Sequence, residues 1–243
     1  MIKIIIHITK FIIATITALL FASCNFNINS IEGSGNVTTE KRIVQGDFKS
    51  VSVSNAIDLV IEQSDSTEII VEADDNIQKE IITKVKNGTL IVSCKFNSFN
   101  NVTKKVTVRM PVIDKLEASS ASSVHSKNVI EGENINLEAS SAASMDINIE
   151  SDNISCDSGS GSTVNLEGKA LKIKTSASSG SSINAEKLLA NEVEADASSG
   201  ASINVHPIVR LKADASSGAS ISFDTNPKIY EKSENSGGSV SKG

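Results

Sequence analysis

The sequence predicts an all-β protein, a single-domain parallel β-helix or β-solenoid with about 19 residues per coil. Three observations carry that prediction. First, seven similar stretches recur from residue 116 onward, and the apolar residues closing them are Val124, Met145, Val164, Ile183, Ile203, Ile221 and Val240, at spacings of 21, 19, 19, 20, 18 and 19. A fixed period of this length marks a solenoid, in which each repeat buries its apolar face only by stacking on its neighbours. Second, the five clearest copies share a glycine column, Gly161, Gly180, Gly200, Gly218 and Gly237, preceded by Ser160, Ser179, Ser199, Ser217 and Ser236. Glycine in every copy implies a positive-φ turn or a corner too crowded for a Cβ, and a stack of serine hydroxyls there is expected to satisfy backbone groups shared between coils. Third, the flanking residues alternate, with Val193, Ala195 and Ala197 pointing one way and Glu194, Asp196 and Ser198 the other. Period two means strand, with small residues inward.

Taken from the N-terminus, residues 1–23 read as a lipoprotein signal peptide. Lys3 and Lys10 precede the apolar run Phe11–Ala22, too short to span a bilayer comfortably, and Ala22-Ser23 then leads into Cys24. This resembles a bacterial lipobox, and Cys24 is the expected lipidation site. Acyl chains contribute about 0.8 kcal/mol per buried CH₂, so several on one cysteine give stable attachment. Residues 24–35, polar and punctuated by glycine, read as a tether, and 36–243 as the solenoid head domain. Within it, 36–115 form irregular opening coils and cap, and 116–243 the regular Ser/Gly-rich coils.

In the irregular part, strands are predicted at Phe48–Ser54, Ile57–Glu62, Glu68–Glu72, Leu90–Ser93 and Val106–Met110, with Asn87-Gly88 as a hairpin signal. Ile77, Ile81, Ile82 and Val85 fall at helical spacing, which predicts one short helix within Asp74–Lys86 as part of an end cap. Val51–Leu59 resembles Leu137–Ile147 with a shortened corner, so the solenoid is expected to begin there. The regular copies, rich in Ser, Gly and β-branched residues, do not suit stacked helices. Their irregular spacing favours a right-handed coil over the left-handed form with its stricter six-residue units. Coils stack about 4.8 Å apart, so seven span roughly 34 Å.

Composition narrows the chemistry. Aromatics are 3% and tryptophan is absent, consistent with a thin section filled by Val, Ile, Ala and Ser. The formal charge of −6 becomes −8 once Lys3 and Lys10 are removed with the signal, which argues against a nucleic-acid partner. Cys94 and Cys156 lack a CxxC partner, and Cys156 falls in an inward column, so two unpaired buried thiols are favoured over a disulfide. His125 and His206 lie far apart and read as exposed coil residues, and no HExxH or supported GxSxG motif occurs. Gly159-Ser-Gly-Ser has neither the lysine nor the helix of a phosphate loop. No catalytic residue, cofactor or metal site is therefore assigned. The best remaining constellation is a carboxylate column, Asp157, Asp196 and Asp214, with Ser176 and Ser233 completing it. Paired carboxylates can bind Ca²⁺ or serve glycoside chemistry, while the plainer reading is a solvated strip flanked by Lys174 and Lys212.

Five motifs in order, Gly33-Ser-Gly-Asn, Asp47-Phe-Lys-Ser-Val-Ser-Val, Val71-Glu-Ala-Asp-Asp-Asn, Asn87-Gly-Thr-Leu-Ile-Val and the coils ending at Gly237-Gly-Ser-Val, resemble the bacterial family named putative auto-transporter adhesin, head GIN domain. The resemblance covers nearly all of 33–243. It implies an exported β-solenoid without catalytic residues to carry over. The expected function is a non-enzymatic, membrane-anchored cell-envelope lipoprotein, an adhesin or a structural or ligand-binding module presenting a β-solenoid face, at the outer membrane and facing either side of it. Its partners would be the membrane, through the lipid, and a glycan or surface-protein ligand. The alternative is a carbohydrate-active or calcium-dependent glycan-binding protein using the Asp157/Asp196/Asp214 column.

Overall fold

Period-two alternation decides almost every element. The computed structural model describes Lys10, residues 30–95 and residues 99–243; the expected signal peptide and Cys24 lie outside the described residues. Strands β1 (Ile31–Glu32), β2 (Val37–Arg42), β3 (Ser50–Val53), β4 (Asp58–Gln63) and β5 (Glu68–Asp74) lead to one 3₁₀ turn at Gln78–Glu80. Strands β6 (Ile81–Lys86), β7 (Thr89–Cys94), β8 (Phe99–Asn100) and β9 (Lys104–Met110) complete the irregular part. The regular coils hold β10 (Lys115–Ala118), β11 (Ser123–Ser126), β12 (Ile130–Ala139), β13 (Ser144–Ser158), β14 (Thr163–Ala177), β15 (Ser182–Ala197), β16 (Ser202–Ala215), β17 (Ser220–Phe223), β18 (Ile229–Glu234) and β19 (Ser239–Lys242). The long strands β13 to β16 each run from one corner through the return and on to the next corner.

From β10 to β19 every pairing is parallel and coil on coil. The closing apolar residues stack in one column, and each is at most 4% exposed. Cys156 lies in register between Leu137 and Thr175, fully buried, and Cys94 and Cys156 are free thiols. Burial, with a smaller effect of Asp157, pushes the Cys156 thiol far above the ordinary range, so it packs as a small apolar residue.

The opening coil sits where the sequence places it. Val51 pairs with Leu116 and Leu59 with Val124, and Asn55-Ala56 forms the corner. On its other side β7 and β9 pair in parallel with β3 and β4. The stack then ends by reversal: β6 is antiparallel to β7, β5 to β9, and β2 to β5.

The short helix expected within Asp74–Lys86 does not form. Asp75–Ile77 form a turn that runs into the single 3₁₀ turn at Gln78–Glu80, and Ile81–Lys86 is a strand. Asn87 and Gly88 have φ of 52° and 75°, the two positive values of a tight hairpin turn, and that turn hands β7 an antiparallel partner. Hairpin pairing thus outweighs a helical spacing that rested on β-branched residues.

Each corner is a turn with two successive positive-φ residues, such as Ser160 at 51° and Gly161 at 71°. Ser162 N donates to Gly159 O at 3.2 Å across the turn. The glycine N–H then donates to the next coil: Gly161 to Ser179 O, Gly180 to Ser199 O and Gly200 to Ser217 O, each at 3.1 Å. Two expectations are corrected here. The buried hydroxyls are not those of Ser160 and its column, which face solvent, but those of Ser122, Ser162 and Ser181, two positions on. Ser162 Oγ donates to Ala139 O at 2.9 Å and Ser181 Oγ to Ser158 O at 2.7 Å. The column is also not crowded, because a Cβ on Gly161, Gly180, Gly200 or Gly218 would meet open space.

Two of the sequence motifs meet in a clasp at the N-terminal end. Asp74, 1% exposed, accepts from Gly35 N at 2.7 Å and Thr103 N at 2.6 Å. Asp75 accepts from Ser34 Oγ at 2.6 Å and Asn36 Nδ2 at 2.8 Å. Ile31–Glu32, the last strand-forming part of the expected tether, pairs with Phe99–Asn100, so the chain is held to the domain from β1 onward.

Candidate functional site

Outward side chains repeat at coil spacing, so every candidate site is a ladder. On the face before the corner, Glu117, Glu138, Asp157, Ser176, Asp196, Asp214 and Ser233 stand in one register column. Asp196 and Asp214 are direct neighbours. Asp157 is separated from them by Ser176 and neighbours Glu138 instead. Glu117 and Glu138 escape an alignment made on the opening residues of each copy, because the two earliest copies are shorter there. Counting seven residues back from each closing apolar residue finds them.

Electrostatically this column is a mixed strip. Lys115 Nζ bridges Glu117 Oε1 at 2.5 Å and Glu138 Oε1 at 2.8 Å. Burial pushes the Glu117 carboxyl up, but the hydrogen bond from Lys115 and its charge prevail and hold it below the usual range. Asp157 is held above its usual range by burial and by Glu138, against the pull of Lys174 and Lys115. Lys212 Nζ reaches Glu194 Oε1 at 3.3 Å in the adjacent column. Among the described residues no group of three or more His, Cys, Asp or Glu is placed to hold a metal ion. The geometry is that of a solvated, lysine-compensated strip.

The face after the corner differs. One residue past each closing position stand His125, Asp146, Asn165, Asn184, Asn204, Ser222 and Ser241, in register. His125 is exposed but bracketed, with Nδ1 3.2 Å from Asp146 Oδ2 and Nε2 3.6 Å from Asp58 Oδ1. Asn165 Nδ2 donates to Asp146 Oδ1 at 2.6 Å. Further along each coil, two residues on for Asn148 and Glu167 and three for Lys187, these side chains form a second column. The register slips between Asn165 and Glu167, where β15 carries one residue more than β14, and this bulge displaces Lys187 along the strand. The two columns border an open hollow of about 520 Å³. His206 does not join His125; it lies in the return, with Nδ1 2.9 Å from Asp224 Oδ2.

The return carries a third feature, an apolar strip. Leu171, Leu189, Ile208 and Ile229 are each 42–55% exposed. The first three line a shallow hollow of about 610 Å³ with Asp152 and Asn191.

With this geometry in hand, comparisons with known proteins are informative. The family model described as putative auto-transporter adhesin, head GIN domain, matches residues 47–227. No curated protein sequence matches the chain. Among solved structures, a putative adhesin from Bacteroides fragilis superposes with a TM-score of 0.80 at 24% identity, covering 88% of this chain and 100% of its own. A putative lipid binding protein from Parabacteroides distasonis gives 0.72 at 20% identity, covering 88% and 100%. A putative adhesin from Parabacteroides merdae gives 0.70 at 20%, covering 88% and 99%. At these identities the likeness is one of fold.

Proposed function

Because the chain belongs to the putative auto-transporter adhesin, head GIN domain family, we propose that it is a non-enzymatic binding module of the cell envelope, held to a membrane by lipid on Cys24 and presenting its solenoid faces to a ligand. The observation that carries this reading is the pair of long outward faces on which polar side chains recur in register, backed by a continuous core. A rigid ladder suits display, since its side chains need no rearrangement to meet an extended partner. Expressed on cells, the chain should be reached by antibody on intact cells and should raise their adherence to a ligand-coated surface. Antibody access only after permeabilisation, with adherence unchanged, would refute surface display. Cys24→Ala should abolish palmitate labelling and release the protein from membranes; unchanged labelling would remove Cys24 as the anchor.

A second reading, contact with lipid, is supported by the exposed strip of Leu171, Leu189, Ile208 and Ile229. On that reading Leu189→Glu/Ile208→Glu abolishes co-sedimentation with phospholipid vesicles in a Cys24→Ala background, and equal sedimentation of variant and parent counts against it.

A further inference from the structure

The hollow on the face after the corner differs from the carboxylate strip in what its side chains leave free. Lys127 is tied to Glu62 at 3.0 Å, and Asp146 to His125 and Asn165. What remains is amide: Asn165 has given its Nδ2 to Asp146, and its Oδ1 has no partner among the described residues. Asn184 Oδ1 accepts from Glu186 N at 3.4 Å, and its Nδ2 has no partner among the described residues. The Asn148 side chain makes no hydrogen bond among the described residues. Successive asparagines on a solenoid commonly bond to one another along the stack, and these do not. Glu167 and Lys187 add one charge of each sign in neighbouring coils, without forming an ion pair.

The occupant's chemistry follows by elimination. The apolar side chains bordering the hollow, Ile147 and Leu166, are 2% and 3% exposed, so an acyl chain or apolar peptide finds nothing to cover. The free charges cancel, so a polyanion finds no net field. Free amide oxygens and amide N–H groups, beside one carboxylate and one ammonium, match ligands in which every site is both donor and acceptor, that is, hydroxyl groups. Asn165 and Asn184 stand on successive coils, about 4.8 Å apart, a step of the same order as the advance per sugar in an extended pyranose chain. The volume, about 520 Å³, lies within the ordinary range for ligand sites. The bulge at Ala185-Glu186 is a local departure from the repeat at the same place, of the kind that re-aims side chains beside binding sites.

We infer that this hollow is a subsite for an uncharged polysaccharide, bound across the coils by Asn148, Asn165, Asn184, Glu167 and Lys187 without a metal ion. The inference rests on the reading of the chain as a ligand-presenting module and names the ligand class for it. Affinity electrophoresis tests it. The full chain, in non-ionic detergent, is run through gels containing dextran, mannan, galactan or soluble β-glucan, and through gels containing polygalacturonate. At least one neutral polymer should retard it, and added salt should not release it. Losing both amides removes two net hydrogen bonds, so Asn165→Ala/Asn184→Ala should weaken retardation by about thirtyfold. Its thermal midpoint should fall only by the loss of two exposed hydrogen bonds, leaving it fully folded at the temperature of the gel, and Asp196→Ala/Asp214→Ala, on the other face, should bind as wild type does. Retardation that survives the amide substitutions, occurs only with polygalacturonate, or is lost equally in the aspartate variant overturns this site while leaving the display reading intact. Retardation by none of the polymers overturns the ligand class, and the cell-adherence experiment then decides the broader reading separately.

Discussion

Gly200 and Gly168 both lie at positive φ, 71° and 124°, yet their neighbourhoods make them unequal. A Cβ on Gly200 would project into open space, and Ala121 and Ala142 occupy the same corner position in earlier coils at φ of 58° and 60°. The cost of Gly200→Ala is thus backbone strain alone, about 1 kcal/mol, and Gly200→Val about 1–2 kcal/mol. A Cβ on Gly168 would overlap the backbone carbonyl of Ile149 in the coil beneath. Since that carbonyl belongs to a paired strand, Gly168→Ala should combine strain with overpacking, about 3 kcal/mol or more. Urea unfolding should rank the variants wild type, Gly200→Ala, Gly200→Val and Gly168→Ala in falling order of midpoint. Equal losses for Gly200→Ala and Gly168→Ala would mean that the corner is as crowded as a coil interior. The sequence shows the repeated glycine plainly because a column advertises itself. It says nothing of Gly168, a single residue whose requirement comes from one carbonyl of another coil, and it does not separate a turn that needs positive φ from one that lacks space.

At the scale of elements, the seam between the antiparallel cap and the parallel stack is crossed by one chain of charges. Lys41 on β2 pairs with Glu68 on β5 at 2.6 Å, and Glu68 with Arg109 on β9. Arg109 Nε meets Glu62 on β4 at 2.8 Å, and Lys127, just past β11, meets Glu62 at 3.0 Å. The hydrogen bond from Arg109, then that from Lys127, holds the Glu62 carboxyl below its ordinary 4.5, and Lys41 does the same for Glu68. Carboxylates depressed in the folded state stabilise it above their unfolded pKa, and that contribution is lost as pH falls through the folded value. The thermal midpoint should therefore be nearly level from about pH 7 to 5 and fall below about pH 4.5. Glu62→Gln/Glu68→Gln should start lower at neutral pH and fall less steeply in acid. A variant profile parallel to that of the wild type would show that these carboxylates do not report the seam. The seam was hidden in the sequence for a physical reason. Parallel coils announce themselves by repetition, whereas β5, β6 and β2 pair by reversal and repeat nothing. Asn87-Gly88 was the available signal for β6, and the isoleucine spacing at Ile77, Ile81 and Ile82 pointed away from it. The polar hollow was equally hidden: its asparagines are legible as a column, but which amide groups remain free depends on Asp146 and on a bulge that only pairing reveals.

At the scale of the whole molecule, the described residues form a stack with two ends, and these ends differ. One end turns its strands antiparallel. At the other, β18 presents an edge with no further strand on it among the described residues. Its register puts Tyr230, Lys232 and Glu234 in the inward columns held above by Leu211, Ala213 and Ala215. Lys232 and Glu234 pair at 3.1 Å, and Glu234 Oε1 also accepts from Val240 N at 2.7 Å, which with Lys232 holds its carboxyl below the usual range. Charges in inward positions make the final section unsuitable for another coil, one of the ways in which sheet edges avoid pairing with foreign strands. Tyr230 remains 42% exposed and packs against Phe223, ring centroids 5.1 Å apart and planes tilted by 49°, so the apolar section continues up to the plug. Replacing the plug by Lys232→Val/Glu234→Val should restore the inward pattern of a regular coil on an open edge. Sedimentation velocity over a range of concentrations should then show end-to-end association in the variant, growing with concentration, while wild type keeps a constant sedimentation coefficient. Single substitutions should give less, because either charge alone still has to be buried before another edge can dock. If the double variant sediments as wild type does at every concentration, the charges are not what keeps this edge alone, and the exposed return strip around Leu189 and Ile208 becomes the surface on which association has to be sought.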